Sequence, residues 1–384
     1  MTALPRFVAL YALMYAAFGV SSPFMPAFFQ ARGLSPEQLG IVFSAGTAIR
    51  LVAGPVAGRL ADVTQARRAL LASCQVLAAV VALGLFSAPV FVPLLVTSLL
   101  HAAALAPTTT LADALAVDAA QPREARPRFE YGWVRGTGSA VFVIGTLLSG
   151  HVVESHGLPV IIVLQATLLV AASATAALVP AADREQPVAA RDDMARAGFM
   201  TLLGLPVFRR VMLVSALVLG SHAMHDTFAV IRWRAAGVTP IMASTLWSAS
   251  VAAEVLVFFL IGPPLLRRLG PPSVIAIAAA AGVVRWLAMA SSASVVVLAF
   301  MQPLHGLTFA ALHLACMRII ADIVPRHLAA TAQAMYGLGA GVTTALLTLT
   351  SGWLYAELGA YGFVAMALLC AAAIPLTPGL RLTR

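Results

Sequence analysis

Apolar residues run along this chain in long stretches bounded by Gly, Pro or clustered Arg, and polar residues are confined to the short segments between them. The stretches cover 6–29, 36–58, 69–88, 90–114, 130–152 and 157–180, and then 207–231, 240–263, 271–290, 293–317, 328–352 and 359–378. A helix needs about 20 mostly apolar residues to cross the hydrocarbon of a bilayer, so the pattern predicts twelve transmembrane helices. The first stretch is too long for a signal-peptide core and lacks a small-residue cleavage site, so it reads as a first crossing. Between the sixth and seventh lies the longest hydrophilic segment, Ala181 to Arg210, with Asp183, Arg184, Glu185, Arg191, Asp192, Asp193 and Arg196. This organisation predicts an N-terminal six-helix half over 1–180, a cytoplasmic linker over 181–206 and a C-terminal six-helix half over 207–384.

Composition removes the competing classes. Of the 384 residues, 61% are hydrophobic and 10% charged, with a mean hydropathy of +0.93. Soluble domains carry about 25% charged residues, so an ordinary soluble enzyme is excluded, and twelve crossings leave no extramembrane domain for chemistry. The formal charge of +9 comes from 24 basic residues, all Arg, against 15 acidic ones. These arginines punctuate apolar runs and form no basic stripe, which argues against nucleic acid as a partner. Cys74, Cys316 and Cys370 lie inside apolar stretches without metal or disulfide spacing and read as packing residues. A chain without Lys has no Gly-rich loop of the ATP-binding kind. No cofactor and no metal is expected.

The arginines also orient the chain, because short cytoplasmic loops retain positive charge. With both termini inside, the cytoplasmic segments hold eighteen arginines and the outer loops only Arg32, Arg232 and Arg234. Arg50, Arg135 and Arg285 are left within spans. Trp133, Trp233, Trp286 and Trp353 fall near expected helix ends, where indole rings favour the interface. Gly54 with Gly58, Gly132 with Gly136, and Gly337, Gly339 and Gly341 have the small-residue spacing of closely approaching membrane helices.

An even number of helices split by a polar linker suggests a duplicated bundle whose halves rock around a midplane site. After the second span comes a turn reading Gly58-Arg-Leu-Ala-Asp62-Val-Thr-Gln-Ala-Arg67-Arg68, matched in the second half by Gly262-Pro-Pro-Leu-Leu-Arg267-Arg268-Leu-Gly270. The first resembles the conformational signature between helices two and three of the major facilitator superfamily. Phe129-Glu-Tyr131-Gly132-Trp-Val-Arg135-Gly-Thr-Gly138-Ser139 is similar to the fifth-helix motif of lactose permease-like and nucleoside–proton symporters. Further segments resemble the 3-phenylpropionate permease group, among them Ala112-Asp113, Gly220-Ser-His222, Leu246-Trp247-Ser, Ala253-Glu254-Val, Gly282-Val-Val-Arg285-Trp286, Leu304-His305, Thr308-Phe309 and His313-Leu-Ala. The resemblance runs from the second helix to the eleventh and implies the all-α major facilitator fold. Thr137 and the pair His225-Asp226 depart from the group's pattern, and the pocket is expected to be reshaped there.

Ionisable side chains inside spans cost about 2.5–3.5 kcal/mol on insertion scales, so they normally face the bundle interior with a partner. Arg50, Arg135 and Arg285 are balanced by Asp113, Asp226 and Glu254, and His222, His225, His305 and His313 add groups that titrate near neutrality. Asp113 and Arg135 sit near the same cytoplasmic side on successive helices and can meet, either as a structural ion pair or as a substrate site in which Arg135 takes a carboxylate or hydroxyls while Asp113 competes for it. The resemblance implies the second, since related sugar permeases use these positions for substrate. It also makes Glu254 and Arg285 the core of a proton switch. Beside them His305, His313 and Asp226 are read as further proton-coupling candidates and Arg50, His222 and Trp247 as substrate-side ones, a structural hydrogen bond between helices being the alternative for His222, His305 and His313. The alternative for Glu254 and Arg285 is a permanent ion pair. His305 and His313 are about 80° apart on an ideal helix, so one face could hold both together with Thr308. Arg50 is read as charge compensation or anion binding, and Asp226 either lines the cavity or reaches the outer interface.

The resulting expectation is a proton-coupled symporter of the inner membrane, acting as a monomer on a small organic acid such as a phenylpropionate. Sugar, nucleoside or drug transport, including efflux by proton exchange, stays open beside it. An intramembrane enzyme or metal site would have to use Ser221, His222, His225 and Asp226, of which His222 and Asp226 share a helix face.

Overall fold

A computed structural model describes residues 3–86, 90–121, 129–180 and 192–380. Much of the expected linker, including Asp183, Arg184, Glu185 and Arg191, lies outside these residues, as do the loop arginines Arg123, Arg126 and Arg128. The described residues form helices and short connections, without a strand among them. In chain order the α-helices are α1 (Ala3–Ser21), α2 (Met25–Ala31), α3 (Pro36–Thr64), α4 (Arg67–Gly84), α5 (Phe91–Ala120), α6 (Tyr131–His156), α7 (Val160–Leu178), α8 (Asp192–Gly204) and α9 (Pro206–Gly220). They continue with α10 (Ala223–Ala235), α11 (Pro240–Leu256), α12 (Gly262–Leu269), α13 (Pro271–Ser291), α14 (Val295–Met301), α15 (Leu312–Ile323), α16 (Ala329–Leu358) and α17 (Gly362–Ala373).

Eleven helical runs among the described residues are long and apolar enough to cross a membrane. The last, Arg326–Leu380, has 55 residues and contains both α16 and α17. Gly359 breaks it at φ +54°, a left-handed conformation that a Cβ would strain. Large apolar side chains line the outside, among them Phe259 at 74% exposure and Phe300 at 73%. Such a surface suits lipid and would be a severe liability in water.

The chain divides into two compact units, one of Met1–Leu34, Ala45–Val188 and Thr239–Thr245, the other of Ser35–Ser44, Ala189–Val238 and Leu246–Arg384. In the first unit α1 packs on α6 and α7, and α4 on α5 and α7, around Phe7, Leu10, Tyr11, Met14, Leu111 and Val134. In the second, α13 packs on α15 and α17, and α16 on α9 and α10.

Glycine governs how closely these helices cross, and of the positions the spacing singled out Gly339 takes part, since a Cβ there would lie 2.5 Å from Met212 Cε. Nothing lies within 4 Å of a Cβ built on Gly54, Gly58, Gly132, Gly136 or Gly337. The crossings against backbone or ring are elsewhere: a Cβ on Gly19 would fall on the Phe142 carbonyl, one on Gly145 would lie 2.9 Å from the Ala16 carbonyl, and one on Gly138 would lie 2.9 Å from the Tyr15 ring. Small-residue spacing marks a helix face and does not say whether another helix lies against it.

Several expectations about helix ends are corrected. The first stretch is two helices, α1 and α2, with a turn between them. Helix α3 runs through Gly58 and Asp62 to Thr64, so the expected eleven-residue turn shrinks to Gln65 and Ala66, with Gln65 at φ +52°. Across it Arg67 Nη2 donates to Asp62 Oδ1 at 2.8 Å. Arginines read as topology signals also cap helix ends: Arg6 donates to the Leu178 carbonyl at 3.0 Å and Arg68 to that of Val179 at 3.2 Å, at the end of α7. Such carbonyls have no partner within the helix, and a cation there complements the helix dipole. Trp133 and Trp353 are exposed, whereas Trp233 and Trp286 are fully buried and belong to the core of the second unit.

Candidate functional site

The second unit gathers most of the embedded polar residues around one guanidinium. Arg285, on α13, is fully buried, with its Cζ 4.5 Å from the centre of the Trp286 ring. Its Nη1 lies 3.2 Å from His305 Nδ1, and its Nη2 lies 3.4 Å from His225 Nε2 and 3.0 Å from Gln302 Oε1. Arg has only donors, so both imidazoles must present a bare nitrogen to it, and each ring's proton is on the far nitrogen. Those far nitrogens face carboxylates, His305 Nε2 at 3.5 Å from Glu254 Oε2 and His225 Nδ1 at 3.1 Å from Asp226 Oδ1. Arg285 is thus joined to Glu254 through the His305 ring, where the sequence suggested a direct guanidinium–carboxylate pair.

Local sequence explains the placement. Helix α9 stops at Gly220, and the turn at Ser221 and His222 re-aims the chain before α10. Ser221 Oγ accepts from Trp286 Nε1 at 2.8 Å and donates to the Val218 carbonyl at 2.6 Å. His222 Nδ1 meets the Leu219 carbonyl at 3.1 Å, which puts its proton there, so Nε2 accepts from Thr308 Oγ1 at 2.9 Å. Pro303 lacks an N–H and sits in a 3₁₀ turn, Gln302–Leu304; the next residues, Gly306–Ala311, are π-wound. A second π segment, Val257–Ile261, follows Glu254 by one turn. A Cβ on Gly306 would lie 2.7 Å from the Ala253 carbonyl, so only glycine lets these two segments approach.

This winding changes the face arithmetic. His305 turns its ring to Phe309, stacked at 5.5 Å, and to His222 at 5.2 Å. His313 lies instead beside Phe258 at 6.0 Å and Tyr336 at 5.7 Å. The ideal-helix angle between the two histidines therefore does not apply, because π turns carry more residues than α turns. His225, which adjacency to Asp226 left without a clear direction, is the second arm of the network, stacked on Trp247 at 5.1 Å and 20°. Trp247 is buried against this ring. The Asp226 side chain is 55% exposed.

The first unit carries a separate constellation. Asp113 Oδ1 accepts from the Tyr11 hydroxyl and, at 2.8 Å, from the Tyr131 hydroxyl. Arg135 lies with its Cζ 4.9 Å from the centre of the Tyr15 ring, which stacks in turn on Tyr11 at 5.7 Å. Asp113 and Arg135 are thus close without an ion pair between them: tyrosines satisfy the carboxylate, and the guanidinium is exposed over an aromatic face. Sequence reasoning missed Tyr11 and Tyr15, whose four-residue spacing on the first helix is the only signal they give. Arg50 is exposed on α3 and lies within electrostatic reach of His101, whose Nδ1 meets the Ala78 carbonyl at 2.9 Å. Gly58, Asp62, Arg67 and Arg68 lie at the α3–α4 junction, around the Arg67–Asp62 pair. Among the described residues no group of His, Cys, Asp and Glu has the arrangement of a metal site.

Known proteins match this chain over nearly its whole length. Residues 4–365 match the MFS_1 like family. A protein of Escherichia coli (strain K12) named "Probable 3-phenylpropionic acid transporter" is 31% identical over 379 residues, 97% of each chain. The uncharacterized transporter YwbF of Bacillus subtilis (strain 168) is 22% identical over 84% of this chain and 79% of its own. Among solved structures, a point mutant of the nucleoside transporter NupG aligns with a TM-score of 0.84 over 98% of both chains at 16% identity. A bacterial homolog of the human lysosomal transporter Spinster aligns at 0.73 over 98% of this chain and 95% of its own, at 15% identity.

Proposed function

As a member of the MFS_1-like family this chain is a multi-pass membrane transporter and not an enzyme, and we propose that it is a proton-coupled symporter importing a small aromatic carboxylate, such as 3-phenylpropionate, across the inner membrane. In this reading the 55-residue run that holds α16 and α17 makes two crossings, for twelve in all with both termini cytoplasmic, and two six-helix halves alternate access to the substrate. The kinship with a probable 3-phenylpropionic acid transporter supports the substrate class.

The observation that carries the coupling is the chain Arg285–His305–Glu254. A proton reaching His305 has only Nδ1 to occupy, and that atom is the one bonded to Arg285. Protonation and the Arg285 contact therefore exclude each other, and the imidazolium so formed pairs with Glu254. Binding a proton breaks the His305–Arg285 contact and turns that edge of the guanidinium toward an anion, and losing it draws the guanidinium back to the ring. His313, within electrostatic reach of Glu254, is a further carrier on this side.

Arg135 is the carboxylate ligand of the first unit. Tyr15 backs its guanidinium, and two tyrosine hydroxyls hold Asp113 so that the carboxylate does not consume Arg135. Arg50 adds positive potential for an anion, and His222 and Trp247 supply ring edges and faces for an aromatic substrate. Gly58, Asp62, Arg67 and Arg68 serve the conformational change at the α3–α4 junction.

Uptake of labelled 3-phenylpropionate into proteoliposomes tests this reading. Accumulation is expected when the outside is made acidic. Equal uptake with and without the gradient rejects coupling. A thermal-shift comparison with sugars and nucleosides in which one of those, and no aromatic acid, stabilises the protein rejects the substrate class.

A further inference from the structure

Arg285 has two imidazole arms of the same construction, and the coupling through His305 and Glu254 uses one of them. On the other, Nη2 of Arg285 meets His225 Nε2 at 3.4 Å, and His225 Nδ1 meets Asp226 Oδ1 at 3.1 Å. We infer that His225 and Asp226 form a second proton site, so that one guanidinium is released by two protons and the carrier moves two protons with each carboxylate.

Valence and charge carry the inference. A neutral imidazole has one N–H and one bare nitrogen, and a guanidinium offers donors only. Contact with Arg285 therefore pins the His225 proton on Nδ1 and the His305 proton on Nε2, so the two rings are held as opposite tautomers. The vacant atom of each ring is the one Arg285 occupies. A proton entering from water at either ring forms an N–H bond there, displaces the guanidinium and leaves an imidazolium–carboxylate pair. No other bond changes.

Counting charge separates one proton from two. With both rings neutral, Arg285, Glu254 and Asp226 sum to −1, a poor host for an anion. One proton brings the site to 0, and two bring it to +1. Only the doubly protonated state has both imidazole contacts of Arg285 broken, with Gln302 Oε1 left as its neutral partner, and a net charge that attracts a carboxylate.

The surroundings of His225 allow the role. Trp247 stacks on the ring, Trp233 meets it edge-on at 6.0 Å and Trp286 lies at 5.8 Å. These indoles fix its orientation without offering a competing charge. The charged and titratable groups of the cluster are Asp226 and His222 from its own segment, Arg285 from α13, His305 from the segment before α15 and Cys370 from α17, which touches Ser221. Asp226 is half-exposed at the end of this arm, whereas Glu254 is 25% exposed at the end of the other.

The inference rests on the proton-coupled reading, and two measurements separate their fates. The first needs no transport: nitrogen NMR of the full-length protein labelled at histidine, with His225→Asn and His305→Asn assigning the signals. Near neutral pH, His225 is expected with its proton on Nδ1 and His305 with its proton on Nε2, and Arg285→Gln is expected to abolish that opposition. Identical tautomers in the unmodified protein, or a pattern unmoved by Arg285→Gln, overturn the two-armed site.

The second is uptake of 3-phenylpropionate into proteoliposomes clamped with potassium and valinomycin. One proton per carboxylate is electrically silent, whereas two carry a net positive charge inward. An interior-negative potential is expected to accelerate uptake, and Asp226→Asn is expected to remove that response while a pH gradient still drives transport. Uptake driven by pH but indifferent to potential overturns the second proton and leaves the coupled reading standing. Uptake driven by neither overturns the coupled reading itself.

Discussion

His305 receives the Nη1 hydrogen of Arg285 at Nδ1, 3.2 Å away, and so must carry its own proton on Nε2, facing Glu254 at 3.5 Å. This arrangement turns an apparent ion pair into a relay, because the ring cannot both hold the guanidinium and be charged.

Replacing His305 by Asn removes the group whose protonation and whose contact with Arg285 compete. Net uptake driven by a pH gradient is expected to fall to background, while exchange of labelled for unlabelled substrate persists. Comparing counterflow with net uptake in the same vesicles checks this.

Glu254→Gln leaves His305 without an anion to pair with once protonated. Binding of 3-phenylpropionate is expected to survive, and its dependence on pH to flatten. A wild-type affinity that strengthens as pH falls, against a variant affinity that changes less over the same range because only the His225–Asp226 arm still titrates, is the measured contrast.

Arg135 over the Tyr15 ring is a planar cation on an aromatic face. A contact of this kind contributes about 0.5–2 kcal/mol, so Tyr15→Leu is expected to weaken carboxylate binding by roughly 2- to 30-fold, while Tyr15→Phe stays near wild type. Arg135→Ala is expected to abolish binding. Titration calorimetry across the three variants reads the series.

Gly19 and Gly145 let α1 and α6 cross with backbone against backbone. A side chain at either must push the helices apart, and overpacking of this kind costs about 1–3 kcal/mol. Gly19→Val is expected to lower the Tm in detergent by several degrees. Gly132→Ala, with open space around its Cβ, is expected to leave it unchanged.

Much of this molecule follows from one-dimensional pattern. Apolar run length and the scarcity of charge dictate membrane-crossing helices, since no other structure satisfies the backbone in hydrocarbon without closing a barrel. The cost of embedding charge likewise marks Asp113, Arg135, Asp226, Glu254 and Arg285 from the sequence alone.

What the pattern could not supply is which partner each residue meets. Asp113 lies with Tyr11 and Tyr131 rather than Arg135, and Arg285 reaches Glu254 and Asp226 through His305 and His225. The reason is geometric. Contacts between helices depend on crossing distance and on rotation about each helix axis. Rotation is reset by the turn at Ser221 and the π segments Val257–Ile261 and Gly306–Ala311, and crossing distance by glycines whose neighbours come from remote sequence. The charges in the membrane were thus legible as residues, whereas the imidazoles that join them became so only once tertiary packing had set which ring nitrogen faces the guanidinium.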